Sequence, residues 1–193
     1  MSRPTPPAIA LALALVLAAS ACSSDSSESP ARAGIDAAAP GPRITAPALA
    51  PADRPARLGT TSRVGDYDVT LERYQPDATT DVEDAARGNE PPAKGRYARL
   101  TVRVVNRSRV PVVPSNDLLF VVLGGDGSTN RHYDCTAWLA GRTLLDGDRI
   151  DPGGTKAGDV CFDLTPAAAT GAKLVVTAAG TPFAVLFTSY WLP

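Results

Sequence analysis

The sequence predicts an all-β domain over residues 59–193, an antiparallel β-sandwich of about seven strands. Apolar side chains recur at every second position in several short segments, which is the pattern of strands with one buried and one solvated face. Turn-forming residues separate these segments at short intervals. No segment of this part shows a comparable helical periodicity. A two-sheet sandwich is the architecture that this spacing favours.

The strands can be placed in order along the chain. Apolar and polar residues alternate over 67–71 and again over 98–105. Residues 118–123 are a continuous apolar run, as expected for a central strand, and the glycines and aspartate at 124–127 end it with hairpin chemistry. Further strands are predicted at about 130–137, 158–164, 172–178 and 182–190, with turn clusters at 106–116, 146–155, 166–171 and 179–182.

Asparagine, proline and glycine set the predicted strand ends. Asn106 can hydrogen-bond nearby backbone and tolerates turn conformations, so it ends the strand over 98–105. Pro111 and Pro114 lack the N–H group that a sheet ladder needs. Residues 152–154, Pro-Gly-Gly, make a tight reversal before the next strand.

The amino terminus predicts export. Residues 8–19 are an uncharged apolar run that follows Arg3, and they are too few for the roughly twenty apolar residues of a membrane-spanning helix. The run ends in Ala19-Ser20-Ala21-Cys22, which resembles a lipobox. Residues 1–21 are therefore predicted to be a lipoprotein signal peptide.

The resemblance to a lipobox implies that Cys22 receives lipid and becomes the new amino terminus. Two acyl chains hold a protein stably on a bilayer, whereas one chain binds only marginally. The expected location is the extracytoplasmic face of the cell membrane. Ordinary secretion, with cleavage near Ala21, is the alternative.

Residues 22–58 predict a disordered tether rich in Ser, Ala and Pro. The segment has six prolines and no aromatic residue, so it has little apolar surface with which to offset the entropy of ordering. Fully stretched it would span on the order of 100 Å, and as a flexible coil about 35 Å.

Charge excludes one class of partner. From residue 59 onward the chain has 14 basic and 16 acidic residues, close to balance. No basic stripe of the kind that binds nucleic acid is present in the sequence. Nucleic acid is therefore not an expected partner.

Two segments carry a family resemblance. YARLTVRVVNRS at 97–108 and DPGGTKAGDVCFDL at 151–164 resemble the telokin-like, immunoglobulin-like extracytoplasmic domain of unknown function in Gram-positive, actinobacterial lipoproteins. The mycobacterial immunoprotective extracellular protein is similar in fold. The resemblance covers roughly 64–180 and implies an immunoglobulin-like antiparallel β-sandwich. It supplies no catalytic residues.

The cysteines predict one disulfide. Lipidation uses Cys22, which leaves Cys135 and Cys161 as an even pair in an oxidising compartment. Since Val160 and Phe162 claim the inward face of their strand, Cys161 should point away from the core. The alternative is a reactive or metal-binding pair, for which His132 is the only nearby additional ligand.

No catalytic or metal site is predicted. His132 is the sole histidine, no Gly-x-Ser-x-Gly elbow is present, and a surface strand position is the favoured interpretation. Two oxygen-rich loops lack the pattern of a calcium-binding EF-hand loop and are interpreted as Asx turns. They contain Asp126, Ser128 and Asn130, and Asp146, Asp148 and Asp151.

The acidic segment Gln75–Lys94 has two open interpretations, a mobile binding loop or a solvated insertion. Solvated insertion is favoured. Its acidic residues are Asp77, Asp81, Glu83, Asp84 and Glu90.

The expected function is a lipid-anchored cell-envelope lipoprotein that presents a β-sandwich binding module. Its ligand would be another envelope protein, a glycan or a small molecule. No enzymatic activity and no cofactor are expected. The alternative is an accessory solute- or metal-binding lipoprotein for transport or envelope stress.

Overall fold

The computed structural model describes residues 48–86, 88–141, 143–179 and 188–193. The predicted signal peptide, Cys22 and the first part of the predicted tether lie outside these residues. Most of the last predicted strand also lies outside them, since only 188–190 of 182–190 are described. Within the described ranges, no helix is long and apolar enough to cross a membrane.

Two β-sheets form a sandwich. The strands in the described residues are β1 Ala56–Arg57, β2 Thr61–Val64, β3 Tyr67–Gln75, β4 Arg96–Asn106, β5 Leu118–Leu123, β6 Thr129–Arg131, β7 Thr155–Leu164, β8 Lys173–Ala178 and β9 Thr188–Leu192. Four short helices connect them: α1 Thr79–Ala85, α2 Pro114–Asp117, a 3₁₀ turn His132–Asp134, and α3 Pro166–Ala169.

The strand order defines the layers. One sheet has the order β1-β9-β8-β5-β6 and the other β2-β3-β4-β7. The pairs between these strands are antiparallel except for β1, which lies parallel to β9. This confirms the predicted all-β antiparallel sandwich.

Side chains from both sheets meet in one main core. Phe162 of β7 and Phe120 of β5 are completely buried there, as is Trp191 of β9. The Trp191 indole N–H donates a hydrogen bond to the carbonyl of Thr60 at 3.1 Å, so the buried ring leaves no polar atom unpaired. Each such side chain contributes roughly 1.5–3 kcal/mol by leaving water.

The strand ends follow the predicted chemistry at Asn106. Its side-chain amide, fully buried, donates to the carbonyls of Val110 at 2.8 Å and Ile150 at 2.9 Å. Its backbone exchanges two 2.9 Å hydrogen bonds with the Pro-Gly-Gly reversal, through Gly153 and Gly154. Gly153 has φ +75°, a backbone conformation that favours glycine. Asn106 thus ties two turns to the end of β4.

The strand predicted at 130–137 is too long. Strand β6 ends at Arg131, and a 3₁₀ turn takes His132–Asp134 out of the sheet. The Asp134 carboxylate accepts the Arg131 N–H at 3.3 Å, and the Cys135 N–H bonds the His132 carbonyl at 3.1 Å. The local hydrogen bond of the Asp134 carboxylate therefore favours a 3₁₀ turn at these residues, although their β propensity predicted a strand.

The predicted boundary between tether and domain at residue 58 also needs correction, because the described residues before it contact the sandwich. The Ala50 N–H bonds the Ser189 hydroxyl at 3.1 Å, and the Tyr190 N–H bonds the Ala50 carbonyl at 2.9 Å. Strand β1 pairs with β9, and Leu58 packs against the main core. Composition alone missed these contacts because they are made mostly by backbone groups and small side chains.

A chain that begins at Gly59 should therefore be less stable than one that begins at Ala48. The loss should be about 2–4 kcal/mol, from the backbone hydrogen bonds and the apolar contact of Leu58. Urea unfolding of the two chains measures it. A chain that begins at Ser23 serves as control and should match the Ala48 chain; equal stability of all three would contradict the assignment.

Candidate ligand-binding cleft

A cleft of about 650 Å³ lies beside strand β7. It is lined by residues of the described segments 132–141 and 143–146, by Asp159–Cys161 of β7, and by Ser115. The volume lies within the roughly 300–1,000 Å³ typical of ligand pockets. The residues used below are Ser115, His132, Tyr133, Cys135, Thr136, Ala137, Trp138, Leu139, Thr143, Asp146, Asp159 and Cys161, all of which line it.

A disulfide attaches the segment 132–141 to the sheet. Cys135 is bonded to Cys161 in β7, with their Cα atoms 5.8 Å apart. Cys161 lies outside the main core, in a second apolar cluster with Val82 and Tyr97. Ala137 packs against the same cluster. The disulfide thus lies on the face of β7 opposite to Val160, Phe162 and Leu164, as the alternation along the strand predicts.

The acidic segment 75–94 packs against strands β4 and β7 next to the cleft. Helix α1 buries Val82 in the second cluster, and the Asp163 carboxylate of β7 accepts the N–H groups of Ala93 and Lys94, each at 3.0 Å. The Thr79 hydroxyl accepts the N–H of Tyr97 at 3.0 Å. Solvated insertion describes its acidic side chains, which are exposed, but not the whole segment, because Ala78 and Val82 pack in the second apolar cluster.

One asparagine of that segment holds Trp138. The Asn89 side-chain carbonyl accepts the Trp138 N–H at 2.8 Å, and its amide donates to the Trp138 carbonyl at 2.9 Å. The same amide donates to the carbonyl of Val82 at 2.6 Å. Asn89 thereby satisfies both backbone polar groups of a residue that belongs to no strand.

The Trp138 side chain itself is 77% exposed, although its backbone is clamped. Tyr133 is 58% exposed, and the Arg131 guanidinium lies 5.7 Å from the centre of its ring. The His132 ring contacts Tyr133 edge-on, with the ring centres 5.5 Å apart. Two large aromatic rings therefore face solvent on a short segment that the disulfide and Asn89 hold in place.

Polar residues share the lining of the cleft with Trp138 and Tyr133. Asp159 accepts a 2.7 Å hydrogen bond from the Thr101 hydroxyl on one carboxylate oxygen. Asp146 accepts a hydrogen bond from the Lys156 ammonium, which lowers the pKa of that carboxyl. The hydroxyls of Ser115 and Thr136 also line the cleft. The described lining thus combines aromatic and apolar residues with residues that carry hydroxyl and carboxylate groups.

His132 lines the cleft and is half-buried. The Phe120 N–H contacts its Nδ1 at 3.3 Å. Burial lowers the pKa of His132 below its ordinary value, because the charged imidazolium loses solvation. The Phe120 carbonyl lies 3.4 Å from the same nitrogen, so both backbone polar groups of Phe120 face the ring, which suits a structural role. His132 differs from the expected surface strand position in two ways, since it is half-buried and lies in the 3₁₀ turn His132–Asp134.

The two oxygen-rich loops form turns. The Asp126 carboxylate accepts the Ser128 N–H at 2.9 Å and the Thr165 hydroxyl at 3.0 Å. Asp146 accepts the Asp148 N–H at 2.9 Å, and Lys156 contacts both carboxylates. In the described ranges, no three His, Cys, Asp or Glu side chains come together as metal ligands.

Sequence reasoning found Cys135, Cys161, His132 and Asp146 but did not single out the aromatic residues of the cleft. A usable signal was present, since Trp138 stands in a segment without alternation. No sequence pattern indicated the role of Asn89, because its hydrogen-bond partner Trp138 is 49 residues away in the chain.

Comparisons with known proteins assign no family. No protein-family model matches the chain, and no curated protein matches it. Among solved structures, the secreted protein MPT63 from Mycobacterium tuberculosis is 20% identical with a TM-score of 0.47, over 72% of this chain and 95% of that one.

Two further structures are similar at lower identity. An uncharacterized β-sandwich protein from Clostridium difficile 630 is 11% identical with a TM-score of 0.46, over 78% of this chain and 97% of that one. A putative lipoprotein, ycdA, from Bacillus subtilis is 12% identical with a TM-score of 0.43, over 68% of this chain and 37% of that one. At these values the likeness assigns no ligand or activity to this chain.

Replacing both Cys135 and Cys161 with Ala should destabilise the domain and loosen the cleft. The two are 26 residues apart, and in the chain-entropy model the disulfide contributes about 3–4 kcal/mol. Thermal unfolding measures the loss, and a red shift or quenching change of the Trp138 emission reports the cleft. A reducing agent should lower the melting temperature of the wild type and leave the double variant unchanged. A wild type indifferent to reduction would contradict the disulfide's role.

The stability of the protein should fall as pH drops below about 6.5. Because the pKa of His132 is lower in the folded state, the unfolded chain binds more protons in this window. The stabilisation is complete above the unfolded pKa and is lost as pH falls toward the folded one. His132→Asn keeps an acceptor for the Phe120 N–H and should flatten the slope between about pH 7.5 and 5.5. An unchanged slope in urea midpoints would refute this account.

Proposed function

We propose that this protein is a lipid-anchored cell-envelope lipoprotein whose β-sandwich binds a ligand in the cleft at Trp138. The observation that carries the proposal is that a 77% exposed indole has both of its backbone polar groups bonded to one side chain. An exposed tryptophan on a mobile loop would need no explanation. A tryptophan whose backbone is held in place by Asn89 is preorganised to contact a ligand.

The physical reason is the cost of binding. A side chain whose backbone is already ordered loses less entropy when a ligand arrives, so more of the contact energy appears as affinity. Tryptophan and tyrosine are the residues that most often dominate interface energetics. Trp138 and Tyr133 line one concavity of ligand size, which adds shape to this chemistry.

The anchor rests on the sequence. The apolar run 8–19 followed by Ser20-Ala21-Cys22 supports lipidation at Cys22. The described residues begin at 48, and the 25 residues 23–47 lie between Cys22 and them in the sequence. The membrane is then a partner through the lipid alone.

The proposal is of a binding protein and not of an enzyme. The only histidine is half-buried, and the Phe120 N–H contacts its Nδ1, which supports a structural role for that ring. The near balance of charge supports no nucleic-acid partner. An accessory solute- or metal-binding role in transport or envelope stress is the second candidate from the sequence, and no specific structural observation favours it.

Cys22→Ala should release the protein from the membrane. The variant lacks the thiol that lipid would modify, so we expect it in the medium or as an unprocessed precursor. Fractionation with detection of the protein, and mass spectrometry of the mature amino terminus, check this. Membrane-bound variant together with an unmodified wild-type terminus would contradict the anchor.

Trp138→Ala should abolish retention of the natural ligand. Mature wild type and variant are immobilised and exposed to separated envelope fractions: membrane proteins, cell-wall polymer and small solutes. Val110→Ala is the matched control, because Val110 is a 60% exposed apolar residue that does not line this cleft. We expect one fraction to bind the wild type and the control but not the Trp138 variant. Equal retention by all three would refute the cleft as the site.

A further inference from the structure

We infer that the ligand of the Trp138 cleft is a neutral oligosaccharide. The inference rests on the proposed binding function and names its ligand class. It follows from three properties of the described lining: a flat, exposed indole, hydroxyl and carboxylate residues in the same cleft, and a volume of about 650 Å³.

The indole supplies an apolar platform. The face of an aromatic ring carries negative charge density, and it attracts the weakly positive C–H groups of a ligand that lies flat on it. A pyranose ring has such a face of axial C–H groups and is otherwise polar. Trp138 presents its ring at 77% exposure, next to Tyr133 at 58%. A chain of sugar rings could use both.

The carboxylate and hydroxyl oxygens of the cleft lining can accept hydrogen bonds from a ligand. A carboxylate only accepts hydrogen bonds, whereas a hydroxyl can donate and accept. Asp159 has one oxygen bonded to Thr101 and no ion-pair partner among the described residues. The hydroxyls of Ser115 and Thr136 form no hydrogen bond with any described residue. Sugar hydroxyls, which both donate and accept, complement this set.

Charge and polarity disfavour other ligands. The Asp159 carboxylate, which has no ion-pair partner among the described residues, repels an acidic ligand, whereas the charge of Asp146 is compensated by Lys156. A purely apolar ligand, such as an acyl chain, would desolvate these oxygens without bonding them, which costs free energy. The volume suits a drug-sized ligand and hence a short oligosaccharide more than one sugar ring.

The test uses tryptophan fluorescence of the mature protein. The chain has two tryptophans, and Trp191 is completely buried, so it serves as an internal reference for folding. The probes are four neutral tetrasaccharides: α-1,4-linked and β-1,4-linked glucose, β-1,4-linked N-acetylglucosamine and α-1,6-linked mannose. We expect at least one of them to shift the Trp138 emission to the blue in a saturable way.

Variants and counter-ligands sharpen the test. Trp138→Ala should abolish the response. Asp159→Ala should weaken binding about tenfold, since a bonded hydroxyl loses its acceptor. Asn89→Ala should weaken it without removing any group of the cleft, and Val110→Ala should leave it unchanged. An oligogalacturonide of the same length should bind at least about tenfold more weakly. Circular dichroism and the Trp191 emission confirm that each variant is folded.

Two outcomes would overturn the inference. The first is no saturable response to any of the four tetrasaccharides. The second is a Trp138-dependent response to choline or to a lysine-rich peptide in place of the sugars, which would assign the cleft to an organic cation. If an envelope fraction is still retained through Trp138 in either case, the proposed binding function stands and only its ligand class fails.

Discussion

The alternation of side chains along β7 is the constraint on which both the core and the cleft depend. Phe162 and its inward neighbours fill the main core, while Cys161 on the opposite face holds the disulfide and the second cluster. Ten paired positions with β4 set the register of the strand. A slip by one residue would exchange the two faces, placing the disulfide in the core and phenylalanine beside the cleft.

The cleft is lined largely by segments outside the sheets, whose backbone groups have no ladder hydrogen bonds. Residues outside strands still carry backbone donors and acceptors that need partners. Asn89 supplies them for Trp138, and Asp163 supplies an acceptor for two consecutive N–H groups of the same supporting segment. Side chains therefore do for these segments what ladder hydrogen bonds do for the strands. The hydrogen bonds of Asn89 and the disulfide fix the backbone at Trp138 while its side chain stays exposed.

The electrostatics of the cleft are those of acceptors in a nearly neutral setting. Lys156 forms an ion pair with Asp146, and burial favours the uncharged form of His132. The Thr101 hydroxyl of the neighbouring strand β4 donates a hydrogen bond to Asp159. Such a lining has little long-range attraction for ions and gains most from a ligand with many weak donors. The proposed sugar ligand suits this balance better than a compact charge does.

The sequence by itself determined the elements that repeat. The period of two predicted the sandwich, the continuous run predicted β5, and Asn106 with its prolines predicted the end of β4. Alternation around Cys161 also predicted the face on which it lies. These features are local, because each depends on neighbours within a few residues.

Tertiary structure decided the rest. Only packing showed that residues 48–58 belong to the sandwich, because their contacts with β9 are made largely by backbone groups that every sequence has. The turn at 132–134 stands where a strand was predicted, because the Asp134 carboxylate accepts the backbone N–H of Arg131. Asn89 and Trp138 meet across 49 residues of chain. A contact between two segments outside strands and helices produces no hydrophobic periodicity in the sequence, so the cleft could not be predicted before the tertiary structure was known.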